Sequence, residues 1–217
     1  MLRSPYMFKH IKGIIWDWNG TLLNDAGLAV ETMNEMLVRR DLPELSIEQY
    51  KQVFSFPVKD YYQKIGFDFE LEPFEIPALE FIVRYNELVN YCQLHADTVF
   101  LLNHFRTSGF RQFILSAMKQ DTLDQCLSHF QINHFFEHVS GLGDHYATSK
   151  VENGHRLIAG INLDPSQLLL IGDTVHDFEV ATELGCQCVL VANGHQSKPV
   201  LQETGAIVID QLSQLLD

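Results

Sequence analysis

Basic residues are scarce in this chain: 15 lysines and arginines stand against 28 aspartates and glutamates, a formal net charge of −13 at pH 7. That balance excludes a nucleic-acid partner as an expectation, because phosphate backbones are met by a basic footprint. An anionic ligand has to be drawn in by local positive charge, such as a bound metal or a helix N-terminus. Cysteine is scarce too. Cys92, Cys126, Cys186 and Cys188 show no metal-like pairing with histidine and no disulfide framework, so reduced, buried thiols are expected. Cys186 and Cys188 lie two apart and share a face if they stand on a strand. No run approaches the roughly 18 apolar residues of a membrane span. Met1–Lys12 lacks the apolar stretch of a secretory leader, so a cytoplasmic protein with no membrane partner is expected. Linkers rich in Gly, Ser or Pro are missing, as are repeats, and nothing encodes an oligomeric state. With 217 residues, 46% of them hydrophobic and 20% charged, the chain suffices for one full core, or one core and a smaller appended unit.

What is there is a rhythm of short apolar runs alternating with amphipathic stretches, the pattern of a parallel sheet with helical crossovers. Strands are expected at Gly13–Trp16, Gln112–Leu115, His138–Ser140, Leu168–Ile171, Cys188–Val191 and Ile207–Ile209. Several are apolar at consecutive positions, as strands covered on both faces should be. Helices are expected near Thr122–Phe130, Gly154–Ile161, Asp177–Leu184 and Pro199–Glu203. From about Ala26 to His95 no strand is evident. Val30, Met33 and Leu37 share one helical face there, and Ile82, Tyr85, Leu88/Val89 and Cys92 another, punctuated by Pro43, Pro57, Pro73 and Pro77. The expected architecture is α/β: a sheet core of residues 1–23 and 97–217 with helices on both faces, and an inserted helical unit of residues 24–96.

Three polar positions sit where apolar strands end: Asp17 after Gly13–Trp16, Ser116 after Gln112–Leu115, and Asp173 after Leu168–Gly172, with Asp177 one helical turn on. Ligands bind at the C-terminal strand ends of open parallel sheets, so these residues should converge. The chemistry suggested is phosphoryl transfer through an aspartyl-phosphate, since a carboxylate is already ionised and can be aimed in line at phosphorus. The charge of both partners must then be neutralised, which Mg²⁺ held by one or two carboxylates does. Asp17 and Asp173 form the natural pair, and Asp177 can hold metal-bound water. The Ser116 hydroxyl can donate to a phosphoryl oxygen, and Lys150, ahead of a helix, can stabilise charge on the transferring group. Gly20-Thr21 allows a sharp turn whose main-chain N–H groups point at phosphate. Each element also has a plainer reading: Asp173 as a helix N-cap, Lys150 as a solvated lysine, and Asp17–Thr21 as a tight turn. Their order and spacing together favour the chemical one.

These residues resemble the haloacid dehalogenase-like hydrolase superfamily, especially its phosphoglycolate phosphatase and β-phosphoglucomutase-like members with a helical cap inserted after the first strand. Four motifs across the whole chain carry the likeness: Asp17-Trp18-Asn19-Gly20-Thr21-Leu22, Phe113-Ile114-Leu115-Ser116-Ala117, Ser149-Lys150, and Gly172-Asp173-Thr174-Val175-His176-Asp177. The resemblance implies a Rossmann-like core and a small phosphorylated metabolite as substrate. It implies Asp17 as nucleophile and magnesium ligand, the Asn19 carbonyl and Asp173 as further ligands, and Asp177 in support. Ser116 and Lys150 would bind phosphate, with backbone N–H groups near Trp18 and Ala117. Cap segments Phe54-Ser55-Phe56-Pro57 and Tyr61-Tyr62 would either face the site or form the aromatic core of the cap.

One departure matters. Asn19 stands where the family has an aspartate that protonates the leaving group and then activates water, and an amide cannot do that. Such help is typically worth about 10² to 10⁴ in rate, so substrates with good leaving groups should suffer least. The ten histidines, His10 and His176 among them, are the candidate surrogates; His176 is the best placed but reads more naturally as a helix-surface residue. Two other readings stay open. One is a phosphotransferase or phosphonatase, the latter needing a Schiff-base lysine such as Lys51, Lys59 or Lys64. The other is a low-activity member that binds phosphorylated ligands or a protein partner.

Overall fold

The computed structural model describes residues 9–143 and 149–216. Most of the segment read as lacking a leader lies outside them. Six strands form one parallel sheet: β1 Gly13–Trp16, β4 Arg111–Lys119, β5 His138–Leu142, β6 Leu168–Gly172, β7 Gln187–Val191 and β8 Ile207–Ile209, in the order β5-β4-β1-β6-β7-β8. β1 is central, with Trp16 in register with Ile114 of β4 and Ile171 of β6. All four of its residues are buried. Ile14 and Trp16 point into one apolar cluster with Ile114, Leu169 and Ile171; Ile15 points into another with Phe113, Leu115, Leu168 and Leu170. Strand geometry alternates side chains between faces, so a sheet covered on both sides demands consecutive apolar residues. A buried polar pair beside β1 is satisfied: the Trp16 indole N–H donates to Gln112 Oε1 at 3.0 Å, and Gln112 donates on to the Leu102 carbonyl.

Helices cover both faces. α5 (Thr98–Thr107) and α6 (Gln120–His129) bury Leu101, Phe105, Leu123 and Leu127 in the first cluster. α7 (Lys150–Ile161) and α8 (Val175–Leu184) bury Leu157, Ile161, Val180 and Leu184 in the second. A short helix α9 (Lys198–Gln202) precedes β8. Between β1 and α5 lie α1 (Ala26–Val38), α2 (Ile47–Val53), α3 (Val58–Lys64) and α4 (Glu75–Leu88). Val30, Met33 and Leu37 of α1 pack with Tyr50, Tyr61, Tyr62 and Phe67 into a third cluster. Local chemistry sets the boundaries. Ser46 and Gln49 form a capping box at α2, Pro57 precedes α3, and Ser149 caps α7 by accepting the Glu152 N–H.

Three elements depart from expectation: α5, which was not among the expected helices, and two short strands. The helical insertion is bounded by a ribbon of two-residue strands, β2 (Leu23–Asn24) and β3 (Gln93–Leu94), paired antiparallel, so the interval read as strand-free contains one. Two residues are too short to show a period of two. Among the described residues no helix is long and apolar enough to cross a membrane.

Candidate active site

The strand ends bring the acidic residues together. Asp17 extends β1, its N–H donating to the Ile171 carbonyl at 2.9 Å, and Asp173 follows β6. One ligand atom from each of Asp17, Asp173 and Asp177 lies within 4.8 Å of the others, and all three residues are buried. Lys150, the first residue of α7, sends its buried ammonium between two of them, 2.5 Å from Asp17 Oδ1 and 2.5 Å from Asp177 Oδ1. Asp177 accepts from the Asp173 N–H, the Thr174 N–H and the Thr174 hydroxyl through Oδ2. The N-cap of α8 is therefore Thr174, in a capping box with Asp177, and not Asp173, whose carboxylate is turned toward those of Asp17 and Asp177. The Thr21 hydroxyl lies 3.1 Å from Asp173 Oδ1 and 3.4 Å from Asp17 Oδ2.

Three buried carboxylates around one ammonium leave an excess of negative charge. Burial, with repulsion from Asp177 and Asp173, pushes Asp17 up to about 8 even beside Lys150. Burial and the neighbouring carboxylates push Asp173 up to about 6. Asp177 goes the other way, because Lys150 and the Thr174 donors outweigh its burial. A hard divalent cation with oxygen ligands fits this set. Asp17 and Asp173 are the carboxylates placed to meet it, their oxygens held by Lys150, the Thr21 hydroxyl and the His195 main-chain N–H, whereas Asp177 also anchors the start of α8 through three donors on Oδ2.

The remaining expected residues lie close by. Ser116, on β4 beside Asp17, is fully buried and its hydroxyl accepts the Met118 N–H at 3.0 Å. Ala117 lines the adjoining cavity. The Trp18 indole is buried in the core against Phe130, so any contact it makes with phosphate is through its main chain. Gly20 does not offer its N–H to a phosphate as expected: that group donates to Asp25 Oδ1 at 2.7 Å. His176 lines the cavity and faces the Phe56 ring at 4.8 Å, whereas His10 is exposed. The three candidate Schiff-base lysines are engaged elsewhere: Lys51 donates to the Asn193 carbonyl, Lys64 to Ser55, and Lys59 lies over the Phe69 ring. None of them is among the described residues lining the cavity.

Sequence reasoning missed a buried network around Asn19. Asp25 accepts from the Asn19 amide at 2.9 Å and from the Tyr85 hydroxyl at 2.5 Å on Oδ2, and its Oδ1 lies 3.3 Å from His195 Nε2. Tyr85 also receives an Asn19 N–H at 2.8 Å, and Tyr50 bonds His195 Nδ1 at 2.8 Å. Although burial opposes charge on both partners, His195 holds Asp25 below the usual carboxylate range, helped by Tyr85 and Asn19. Asp25, with Asp173 and Asp17 behind it, lifts His195 to about 9. The His195 N–H also donates to Asp173 Oδ2 at 2.5 Å. A signal existed: Asn193-Gly194-His195 follows β7 as Asp17 follows β1.

Above the carboxylates is a cavity of about 240 Å³ roofed by the helical insertion, with Tyr50, Phe54, Phe56, Tyr61 and Tyr85 in its lining. Tyr61 and Tyr62 satisfy both expectations at once, forming the third cluster and lining the cavity.

Comparison with known proteins agrees with this arrangement. The sequence profile of haloacid dehalogenase-like hydrolases matches residues 14–191. The chain is 23% identical to a phosphoglycolate phosphatase of Aliivibrio fischeri over 97% of both chains. It is 24% identical to the tyrosine-protein kinase PtkA of Mycobacterium tuberculosis over 90% of this chain and 67% of that one. A haloacid dehalogenase-like hydrolase from Bacteroides fragilis, 19% identical, superposes with a TM-score of 0.82 over 94% of this chain and 99% of that one. The chain therefore belongs to the haloacid dehalogenase-like hydrolases and is an enzyme of their phosphatase type.

Proposed function

We propose that this enzyme is a magnesium-dependent phosphohydrolase of small phosphorylated metabolites that works through an aspartyl-phosphate on Asp17. The observation that carries the reading is the buried set of Asp17, Asp173 and Asp177 around Lys150 at the strand ends. Asp17, the main-chain carbonyl of Asn19 and Asp173 would hold the metal, with Asp177 fixing Lys150 and the start of α8. A bound Mg²⁺ supplies positive charge against the carboxylates and the phosphoryl oxygens. The Asp17 carboxylate attacks phosphorus, Lys150 neutralises its charge and that of the transferring group, and Ser116 with the main chain at Trp18 and Ala117 receives the phosphoryl oxygens. Residues 1–23 and 97–217 act as the catalytic core, and residues 24–96 as a cap that excludes water and selects the substrate.

Asn19 has no proton to give a departing alkoxide. Leaving groups that depart as stable anions are accordingly favoured, and acyl phosphates should outrun alkyl esters.

The test is turnover of acetyl phosphate with Mg²⁺, with EDTA, and in Asp17→Asn. We expect activity in the first condition only. Hydroxylamine should cleave the aspartyl-phosphate of the wild-type enzyme, releasing phosphate and leaving a hydroxamate on Asp17, while Asp17→Asn stays unlabelled. Full activity in EDTA, or a phosphoenzyme that survives Asp17→Asn, would overturn the reading.

A further inference from the structure

The cavity says more about the substrate than the carboxylates do. Its lining from the helical insertion is aromatic and aliphatic: Phe54, Phe56, Val58, Tyr61 and Phe81, with Met33 behind them. No lysine or arginine of residues 24–96 is among the described lining, whose lysines, Lys119 and Lys150, come from the core and are paired with Asp121 and with Asp17 and Asp177, so the roof itself offers no cation to a substrate carboxylate. For a polyhydroxylated substrate the polar side chains of the roof are few: Asn86 and the hydroxyls of Tyr50, Tyr61, Tyr62 and Tyr85, beside Asp25. The Tyr50 hydroxyl is occupied by His195, and that of Tyr85 by Asp25. A pocket that recognises hydroxyl groups needs convergent donors and acceptors, because buried polar groups left unpaired are costly. Among the fully buried side-chain polar atoms of the described lining residues, one has no partner. The Tyr61 hydroxyl is buried and has no hydrogen-bond partner, although the residue is only 1% exposed. It is held between the rings of Tyr50, Phe54 and Tyr62, each at 5.3 to 5.9 Å.

Resting on the phosphatase reading above, we infer that the substrate is a small aryl phosphate whose ring lies among Phe54, Phe56 and Tyr61 and carries a polar substituent for the Tyr61 hydroxyl. Three observations converge on it. The lining matches a planar apolar group, and aromatic contacts add to simple burial. About 240 Å³ lies below the roughly 300–1,000 Å³ usual for drug-sized ligands, which suits a single substituted ring. Asn19, which cannot protonate a leaving group, is compatible with a phenolate, a far weaker base than an alkoxide. In the reaction an Asp17 oxygen bonds to phosphorus as the bond from phosphorus to the ring oxygen breaks. The electron pair leaves on the phenolate, which takes a proton from solvent. Water then attacks the aspartyl-phosphate at phosphorus, releasing inorganic phosphate and restoring the carboxylate.

The experiment compares kcat/KM of the full-length enzyme with Mg²⁺ on acetyl phosphate, phenyl phosphate, 3- and 4-hydroxyphenyl phosphate, and hexafluoroisopropyl phosphate, whose alcohol is about as acidic as phenol. Phenyl phosphate should exceed the matched alkyl ester by about 10-fold, the value of one or two aromatic contacts. At least one hydroxyphenyl ester should exceed phenyl phosphate, and Tyr61→Phe should shrink that ratio by about 3- to 10-fold, as loss of one neutral hydrogen bond would. Phe56→Ala, at a position 38% exposed, should erase the preference for aryl over matched alkyl ester while the thermal melt stays within a few degrees of the wild type. Equal rates on phenyl and hexafluoroisopropyl phosphate overturn the inference while leaving the phosphatase reading intact. So does an aryl preference indifferent to both Phe56→Ala and Tyr61→Phe. Failure on acetyl phosphate sinks the phosphatase reading itself. Faster turnover of a phosphotyrosyl peptide than of any free ester overturns the assignment to a small molecule.

Discussion

Asn19 donates its amide N–H to Asp25 Oδ2 at 2.9 Å, and an aspartate in its place would set two buried carboxylates against each other. Asn19→Asp restores the family's usual residue but removes a donor from Asp25. We expect it to lose about 1–3 kcal/mol of stability, the value of a hydrogen bond to a charged group, because Asp25 Oδ2 keeps the Tyr85 hydroxyl but faces a second carboxylate. Asp25→Asn in the same background should recover most of that loss. Urea denaturation of the two single variants and the double variant measures the coupling; additive effects would show that the two side chains are independent. Gly194 is constrained just as closely. A Cβ there would fall on the Asp173 carboxylate, so Gly194→Ala should displace a metal ligand. The expected result is at least a 10-fold rise in the Mg²⁺ concentration giving half-maximal activity, read by metal titration; an unchanged value would place Asp173 outside the metal site. Asp17, Ser116, Lys150, Asp173 and Asp177 were legible because each belongs to a local pattern, an apolar strand end or a helix start. Asp25, Tyr85 and His195 were not, since each is informative only beside residues far away in the chain.

Elements show the same division. β1 and β6 were readable residue by residue, because burial on both faces leaves an unbroken apolar run. α5 was not anticipated: exposed Val99 and Phe100 stand beside buried Leu101 and Leu102, and the apolar run hides the helical period. The β2–β3 ribbon escaped because its pairing joins residues about seventy apart, Leu23 with Leu94. At α8, Thr174 accepts the Asp177 N–H and donates to Asp177 Oδ2 at 2.6 Å, tying a helix cap to the active site. Thr174→Ala should cost about 1 kcal/mol as a lost N-cap. It should also reduce turnover by more than that stability loss explains, because Asp177 is then freer to leave Lys150. Thermal melts paired with kcat on acetyl phosphate test this, and a stability loss with unchanged kcat would make the cap purely structural.

For the whole molecule, the excess of buried negative charge links stability to pH and metal. Asp17 and Asp173 have folded pKa values of about 8 and about 6, both above the ordinary 3.8, so the folded state binds protons that the unfolded state has released. That contribution is complete below about pH 4 and is lost as pH rises toward 8. His195, raised from 6.5 to about 9, adds a loss of the same sign at the upper end. Asp177 and Asp25 are lowered and weaken the fold only in stronger acid. In EDTA the Tm should therefore fall between pH 5 and pH 8. Mg²⁺ should raise it more at pH 8, where the carboxylates are ionised, than at pH 5. A metal effect equal at both pH values, or greater at pH 5, would exclude these carboxylates as ligands. The sequence by itself determined the α/β class, the placing of Asp17, Ser116 and Asp173 at strand ends, and the helical insertion, because apolar periodicity and strand-end chemistry are local properties. The central place of β1 came from the pairing of the strands. Only the tertiary structure decided that Asn19 answers to Asp25 and His195, that Gly20 is not free for phosphate, and that the roof of the cavity is aromatic. Those are properties of surfaces that meet across tens of residues of chain, where side-chain packing and charge, and no local pattern, choose the partners.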